Sequence, residues 1–534
     1  MKILENITGG YKKIATGIAI VSILALMYIA LIPGGTLAAV VNMQGVGIEG
    51  ALVKIVEWPE YNATTAPDGT YAINSVPYGT YTIKASAYGY FPNTSTVTVD
   101  SANVPKNFIL SVAEIYESVF LPILGSDYDS AIHIRNPQIV NASVIIDVYY
   151  SNGSLAGSST YEIEPNASIA KFTNDIVGFK ADGAYSARVT ANVPIIMTSD
   201  IRSIPTSILS SVPGQRVPVS STLNSAFILS DPVNNTDSAI HIRNPQNTTV
   251  TTTVELYNSD GTFKASKTYN NIDPNAMVAD FTSTIIGNSN YFKGSVKFIS
   301  TKPVVVTADV RSISTGVLAS IPGQEIPASL EQESVLLING WGYESFVQIV
   351  NPQQVATDVN VSFYYTNGTL ANKKQYTLQP NESRDINIKE YVGDSNQGSV
   401  NINSYMPIVE QSSVVTTSNK VYASVKGQTP NVILNGAWTI NGYGYDSAIH
   451  IRNPQSTSAN VTVYLLNNDG SLAGFKKYPV DPNGMAAYFT TDVLGNSNTF
   501  TGSVLFVGDK PVVVTNDIRA VGPGVLTSQP GIVG

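Results

Sequence analysis

From residue 39 onward, apolar and polar positions alternate in short runs, and clusters of Gly, Pro, Asn and Asp separate the runs. A period of two puts successive side chains on opposite faces, so the pattern predicts half-buried strands joined by turns. Gly50-Ala51-Leu52-Val53-Lys54-Ile55 and Tyr81-Thr82-Ile83-Lys84-Ala85 are two such runs. Sustained helical periodicity is missing after the N-terminal segment. There, residues 14–32 are 19 positions without a charge, behind Lys2, Lys12 and Lys13. At about 1.5 Å per residue the run spans roughly 28 Å, a bilayer's hydrocarbon thickness, and exceeds the usual signal-peptide core. The preceding lysines predict an inside N-terminus and an exported remainder. Thr36-Leu37-Ala38 offers a small-x-small cleavage site, so a retained anchor and a removed signal both stay open.

The rest of the chain repeats itself. Asp129-Ser130-Ala131-Ile132-His133-Ile134-Arg135-Asn136-Pro137-Gln138 recurs at 237–246 and 446–455, with a diverged copy at 344–353. The Asn of each Asn-Pro stands at 136, 244, 351 and 453, at spacings of 108, 107 and 102 residues. Every copy carries a hairpin signal (Asn152-Gly153, Asp260-Gly261, Asn367-Gly368, Asp469-Gly470), suited to the positive φ of tight turns. A Pro-Asn pair follows, at Pro165, Pro274, Pro380 and Pro482, and an apolar strand opens at Pro194, Pro303, Pro407 or Pro511. About seven short strands with turns every 8–12 residues predict an Ig-like β-sandwich for each copy. Each copy is long enough to hold its own core. The short joints at 213–215, 322–324 and 427–428 predict separate beads on a semi-rigid rod.

The segment between anchor and repeats has landmarks of its own: Glu49-Gly50-Ala51-x-Val53, Asp68-Gly69-x-Tyr71, Pro77-x-Gly79-x-Tyr81 and Gly89-Tyr90. In that order they resemble the carboxypeptidase regulatory-like domain. The resemblance implies a transthyretin-like sandwich that is an accessory, non-catalytic module of secreted and surface proteins. The four repeats resemble the Ig-like tandem modules of prokaryotic surface proteins. The expected fold class is all-β: tandem β-sandwiches, one transthyretin-like and four Ig-like, after an N-terminal transmembrane or signal helix. The expected division is 1–38 for that segment, 39–112 for the regulatory-like domain, then 113–215, 216–324, 325–428 and 429–534.

Composition narrows the chemistry. With no Cys, disulfide frameworks, thiolate metal sites and a cysteine nucleophile are excluded. A net charge of -9 disfavours nucleic-acid partners. No nucleophile-elbow, zinc-protease, phosphate-loop or dinucleotide motif is present, so no catalytic residue and no cofactor is nominated.

The three His share one repeat position. His133 and Arg135 lie on one strand face, and Asp200 and Arg202 stand six and eight residues after a strand-opening Pro. The sets His241, Arg243, Asp309, Arg311 and His450, Arg452, Asp517, Arg519 repeat this pattern. Copy three loses all four positions together, to Gln348, Val350, Ser413 and Val415. Joint loss predicts one cluster, with the Asp between the two Arg and the His at its edge. The plainer reading is an ion-pair patch on a surface sheet face, where exposed pairs contribute roughly 0–1 kcal/mol; a contact to a neighbouring domain and an anion or sugar-acid site are the sharper ones. A metal site is disfavoured, since each copy offers two ligands beside guanidiniums. N-glycosylation sequons fall at Asn62, Asn93, Asn141, Asn152, Asn166, Asn234, Asn247, Asn360, Asn367, Asn381 and Asn460. The expected function is that of an exported, non-catalytic structural or adhesive surface protein. Its expected partners are the membrane, through an uncleaved N-terminus, and surface glycans or other envelope proteins. An array of carbohydrate-binding modules or an accessory subunit of an envelope enzyme is the first alternative, and a surface-filament subunit the second.

Overall fold

The computed structural model describes residues 34–534 except 44, 124–127, 179–182, 204–208, 218–219, 288–289, 313–317, 328, 419–421 and 522–524. The apolar run at 14–32 lies outside the described residues. Among those residues, no helix is long and apolar enough to cross a membrane. The chain divides into two compact units between Ala113 and Glu114.

In the first unit, Gly34–Met43 runs antiparallel to Thr70–Pro77 and parallel to Asn103–Pro105 and Phe108–Ile109. Asn62–Thr64, Leu52–Ile55, Gly79–Ser86 and Asn93–Val99 form a second sheet in that order. Alternate residues Val53, Ile55 and Ile83 meet Leu37, Val41, Ile73 and Phe108 in one core. The sequence landmarks are the fixings of this sandwich. Gly69 has φ +82°, and a Cβ there would collide with the Val41 carbonyl oxygen. Tyr71 and Tyr81 bury their rings and donate their hydroxyls to Lys106 O (2.6 Å) and Pro77 O (3.0 Å).

The first described strand, Gly34–Met43, runs across the expected boundary after residue 38, and Leu37 is fully buried. The Thr36-Leu37-Ala38 site therefore lies inside a paired strand, where Thr36 N donates to Ala102 O at 3.0 Å. Processing after Ala38 would strip Leu37 from the core.

Among the described residues of the second unit each copy folds as eight main strands and one helical turn, one strand more than expected, and module 1 adds the two-residue strand Gln215–Arg216 beside its first. In module 1 these are Glu114–Ile123, Tyr128–Arg135, Ala142–Tyr150, Leu155–Ile163, Ser168–Phe172, the helical turn Thr173–Val177, Gly183–Ala191, Ile196–Ser203 and Leu209–Pro213. The fourth, third, sixth and first strands form one sheet; the fifth, second, seventh and eighth form the other. Modules 2, 3 and 4 repeat these pairings, with the sixth and seventh strands of module 4 continuous as Phe500–Ala520. Ile132 and Ile134 of the second strand meet Val144, Ile146 and Val189 in the module core.

The repeated Asn-Pro-Gln is a staple. Asn136 Nδ2 donates to the carbonyls of Val140, Ile163 and Glu164 at 2.8, 2.9 and 3.1 Å, and Gln138 Nε2 donates to Pro194 O at 3.1 Å. Asn244, Asn351 and Asn453 make the matching sets. A buried amide saturated in this way holds three chain segments together, which explains the motif without chemistry.

The four modules close into a ring, which corrects the expectation of beads on a rod. The hairpin of each module docks on the Pro-Asn turn of the next: Met277 N donates to Ser151 O, Ser383 N to Ser259 O, Met485 N to Thr366 O, and Ser168 N to Asn468 O, at 2.8–3.0 Å. The last of these joins module 4 back to module 1. Gly470, at φ +83°, sits so close to Pro165 O that a Cβ would meet it at 2.6 Å, and Gly153, Gly261 and Gly368 are placed alike. The hairpin glycines thus serve both the turn and the seam. The eighth strands meet at the centre, where Ser211 N donates to Thr527 Oγ1 (2.9 Å) and Ser320 N to Ser210 Oγ (3.2 Å). Short joints constrain the angle between modules, and here that angle brings the fourth module back to the first.

Candidate functional site

The second and seventh strands of each module turn Ile132, Ile134 and their equivalents inward and point His133, Arg135 and Asp200 outward. On an isolated sandwich that face would be wet. In the ring the first strand of the preceding module covers it, and His133, Arg135 and Asp200 are only 5%, 1% and 2% exposed. The clusters expected on the surface are therefore buried in the seams.

Nor do the four side chains of a set form one group. His and Asp do meet: His133–Asp200 at 2.7 Å, His241–Asp309 at 2.8 Å and His450–Asp517 at 3.1 Å. The first Arg instead reaches across the seam. Arg243 Nε lies 2.6 Å from Glu117 of module 1, and Arg452 Nε 2.5 Å from Glu333 of module 3. Arg135 meets a neutral partner, donating from Nε to Asn435 Oδ1 (3.2 Å) and from Nη1 to Ser503 Oγ (3.0 Å), both in module 4. Burial pushes its guanidinium down to about 10.

The second Arg stays at the rim and pairs with the Asp that opens the repeat: Arg202–Asp129 at 3.0 Å and Arg519–Asp446 at 2.6 Å. Phe172 and Phe489 lie 5.9 and 5.4 Å from these guanidiniums, and Phe281 lies 5.4 Å from that of Arg311. The expected Asp between two Arg fails for a plain reason. A step of two residues along a strand is about 6.7 Å, and Arg135, Arg202, Arg243, Arg452 and Arg519 find acceptors other than the Asp beside His.

Copy three replaces the pair with neutral groups: Ser413 Oγ donates to Gln348 Oε1 at 3.0 Å. Val350 packs on Ala226 of module 2. Module 2 carries Asn224 at the ladder position of Glu117 and Glu333, just before the bulge. Both partners of the buried Glu–Arg pair are thus neutral in that seam, whose ion pair is instead Lys293–Asp385 at 3.0 Å.

The sequons divide likewise. Asn62, Asn93, Asn141, Asn152, Asn234, Asn247 and Asn367 are exposed, while Asn166, Asn360, Asn381 and Asn460 are half-buried. Asn166 and Asn381 occupy the Pro-Asn turns on which hairpins dock.

The seam between modules 4 and 1 opens into a cleft of about 240 Å³. Its floor holds His133 and Asp200, and Ser211 Oγ donates to Asp200. Its walls are Trp438, Tyr443, Tyr445 and Phe172, with Asp129, Arg202 and Lys171 also lining it. Trp438 stacks on His133 with centroids 4.4 Å apart and planes at 18°. Separate small gaps beside Glu117 in the 1/2 seam and Ser334 in the 3/4 seam hold about 10 Å³ each, the size of one water. The ladder position of Trp438 is taken by Phe227 in module 2, which packs near Tyr422, and by Leu336 in module 3, which packs near Met485. Among the described residues, no three His, Asp or Glu converge as metal ligands. Sequence reasoning missed Glu117, Glu333 and Trp438; the Asp opening three of the four ten-residue repeats was a visible signal for the rim pairs.

One consequence concerns stability. Asn435→Glu supplies Arg135 with the carboxylate that Arg243 and Arg452 already have. The variant is expected to raise the thermal midpoint by about 2–4 °C, as roughly 1 kcal/mol does in domains of 150–250 residues. Calorimetry checks this, and an unchanged or lower midpoint would show that Arg135 is fully satisfied by neutral acceptors.

Comparison with known proteins places the two units differently. The carboxypeptidase regulatory-like domain model matches residues 38–111. A family of unknown function, DUF5719, matches residues 219–420, which span modules 2 and 3. No curated protein matches the chain. Among solved structures, a type II cohesin–X-dockerin complex from Acetivibrio cellulolyticus is 22% identical over 15% of this chain and 58% of its own, with a TM-score of 0.14. The chain thus spans little more than half of that relative. Thermotoga maritima 1070 is 17% identical over 19% of this chain and 92% of its own, with a TM-score of 0.18. The RrgB pilus protein of Streptococcus pneumoniae is 8% identical over 74% and 93%, with a TM-score of 0.19. Residues 38–111 are thus similar to the carboxypeptidase regulatory-like domain, and modules 2 and 3 to a family of unknown function.

Proposed function

We propose that the chain is an exported, non-catalytic surface protein in which residues 114–534 form a rigid scaffold with a ligand-binding cleft at the seam that closes the ring. The observation that carries the reading is the cleft itself: the 4/1 seam holds about 240 Å³ of space walled by Trp438, Tyr443, Tyr445 and Phe172 beside the buried His133–Asp200 pair. A preformed concave site with apolar walls and a few polar groups is the ordinary form of a binding site. Rigidity follows from cyclic closure, since no module can swing without breaking two seams. Export is supported by the uncharged run at 14–32 behind Lys2, Lys12 and Lys13. Surface glycans or envelope proteins are the partners proposed, with the membrane as anchor if the N-terminal segment is kept.

Labelling of intact native cells with a membrane-impermeant amine reagent tests the location. The chain is expected among the labelled proteins; its recovery, unlabelled, from cytosolic extract alone would overturn the reading.

A further inference from the structure

The side chains around the 4/1 cleft select a class of ligand, an inference that rests on the reading of this cleft as a binding site. Tyr443 reaches it from the tip of a two-residue hairpin in which Gly442 and Tyr445 exchange backbone hydrogen bonds of 2.8 and 2.9 Å. Its φ is +57°, and Gly444 beside it has +85°. Turns of this kind favour Asn or Gly at both central positions. A bulky aromatic there costs on the order of 1–3 kcal/mol of backbone strain. Tyr443 nevertheless stands 80% exposed, so no packing offsets the strain. Module 3 repeats the device with Trp341 at φ +51° and 63% exposed. An aromatic ring held out at such a position has a use in contact with something else.

The lining narrows the choice of that contact. Asp129 and Asp200 are matched by Lys171 and Arg202, so the cleft has no net field for an ion of either sign. Arg202 and Asp129 are already paired at the rim, at 3.0 Å, and offer donors and acceptors side by side. The walls are aromatic faces, of which Phe172 is 43% exposed. The volume of about 240 Å³ lies below the roughly 300–1,000 Å³ of pockets for drug-sized ligands, which fits one six-membered ring with its substituents. A neutral pyranose has these properties together: an apolar face of C–H groups to lie on an aromatic ring, and a periphery of hydroxyls to exchange hydrogen bonds with a carboxylate–guanidinium pair. We propose that the cleft binds a single neutral pyranose unit of a glycan, stacked on the aromatic wall of Trp438 and Tyr443, with its hydroxyls at Asp129 and Arg202. A quaternary ammonium would also suit aromatic walls, but Lys171 and Arg202 oppose a cation.

The purified full chain tests this by saturation-transfer NMR against neutral methyl hexopyranosides and N-acetylhexosamines, with tetramethylammonium as the cationic probe. At least one pyranoside is expected to receive saturation, with affinity reduced at least tenfold in Trp438→Ala and in Tyr443→Gly. The second variant guards against misfolding, since glycine relieves the turn strain; its thermal midpoint should equal or exceed that of the parent while binding is lost. Trp341→Ala should bind as the parent does. Pyranoside binding that survives both Trp438→Ala and Tyr443→Gly would overturn the proposal. Saturation of tetramethylammonium with none of the sugars would overturn the sugar and leave the cleft a binding site. Silence from both classes would overturn the cleft itself.

Discussion

Exchanging Glu117 for glutamine will destabilise the 1/2 seam by about 3–5 kcal/mol, the usual cost of breaking a buried ion pair from one side. Glu117 is fully buried and holds two guanidiniums, Arg188 of its own module at 2.8 Å and Arg243 of module 2 at 2.6 Å. Arg243 is also fully buried. It donates to Ser186 Oγ (2.7 Å) and to Asn275 O, and it lies 4.7 Å from the Tyr149 ring. Glutamine keeps the shape and one acceptor oxygen but turns an amide N–H₂ toward a guanidinium and removes the negative charge that the two guanidiniums share. Arg188 suffers less, because it also donates to Pro245 O (2.6 Å) and is partly solvated.

The ring contains its own control. The 2/3 seam does without the pair, with Val350 in place of the arginine and Asn224 in place of the glutamate. Glu117→Asn combined with Arg243→Val should therefore lose less than either single change, because a seam neutral on both sides costs little where a lone buried charge costs much. Urea unfolding of the four proteins, with hydrogen exchange to localise the loss, reads the cycle. A Glu117→Gln protein within 0.5 kcal/mol of the parent would mean that the pair contributes nothing to the seam.

The same pair separates what the sequence reveals from what it hides. Alternating residues and hairpin signals reveal the sandwiches, because a strand with one wet face declares itself by period. The second strand does not have a wet face: residues 130–136 are buried without a break, and its polar outward side chains look like surface. Their true setting depends on the first strand of the preceding module, about 120 residues earlier, or at the other end of the chain for module 1. A clue exists in the joint loss of His, Arg, Asp and Arg from copy three. Taken alone it points to one cluster, whereas the structure distributes the four over a His–Asp pair, a cross-seam Arg and a rim Arg. What they share is the seam. The companion signal is the first strand's alternation of Glu117, Asn224, Glu333 and Asn435, in which Glu precedes a module that has the Arg and Asn224 precedes the one that lacks it. Only closure of the ring explains why Asn435 faces Arg135, 300 positions away.

Cyclic closure is illegible for a related reason. A short joint limits the reach between neighbours but leaves its angle open, and four small angles decide between a rod and a ring. The docking surfaces are in view as Asn-Gly hairpins and Pro-Asn turns, each with a sufficient local reason to exist. The cleft is hidden further still, since Trp438 and His133 are brought together only when module 4 reaches module 1.

Stability should fall as the pH rises from about 4.5 to about 8, and Glu410 should carry much of the fall. Its side chain stands in module 3 where the other modules have Met197, Val306 and Val514. It is fully buried, and burial pushes its carboxyl up to about 8; the nearby Glu333 adds to the shift while a hydrogen bond from Ser334 Oγ (3.0 Å) opposes it. The sign follows from proton counting. Between the unfolded value of 4.5 and the folded value, the native chain holds a proton that the unfolded chain has released, so each step up in pH favours unfolding. At about 1.4 kcal/mol per pH unit, the window amounts to several kcal/mol. Above the folded value the group is ionised in both states and the loss stops growing. Glu333, raised in the same direction by burial, tilts the curve the same way, so the parent profile alone does not isolate Glu410. The difference from Glu410→Gln does. Glutamine keeps an acceptor for Ser334 and cannot ionise, so the variant should match the parent near pH 4.5 and exceed it by several kcal/mol at pH 8.5. Urea midpoints at the two pH values decide it: a gap between parent and variant that does not widen with pH would mean that Glu410 is charged in the folded chain, with a counter-charge or solvent inside module 3.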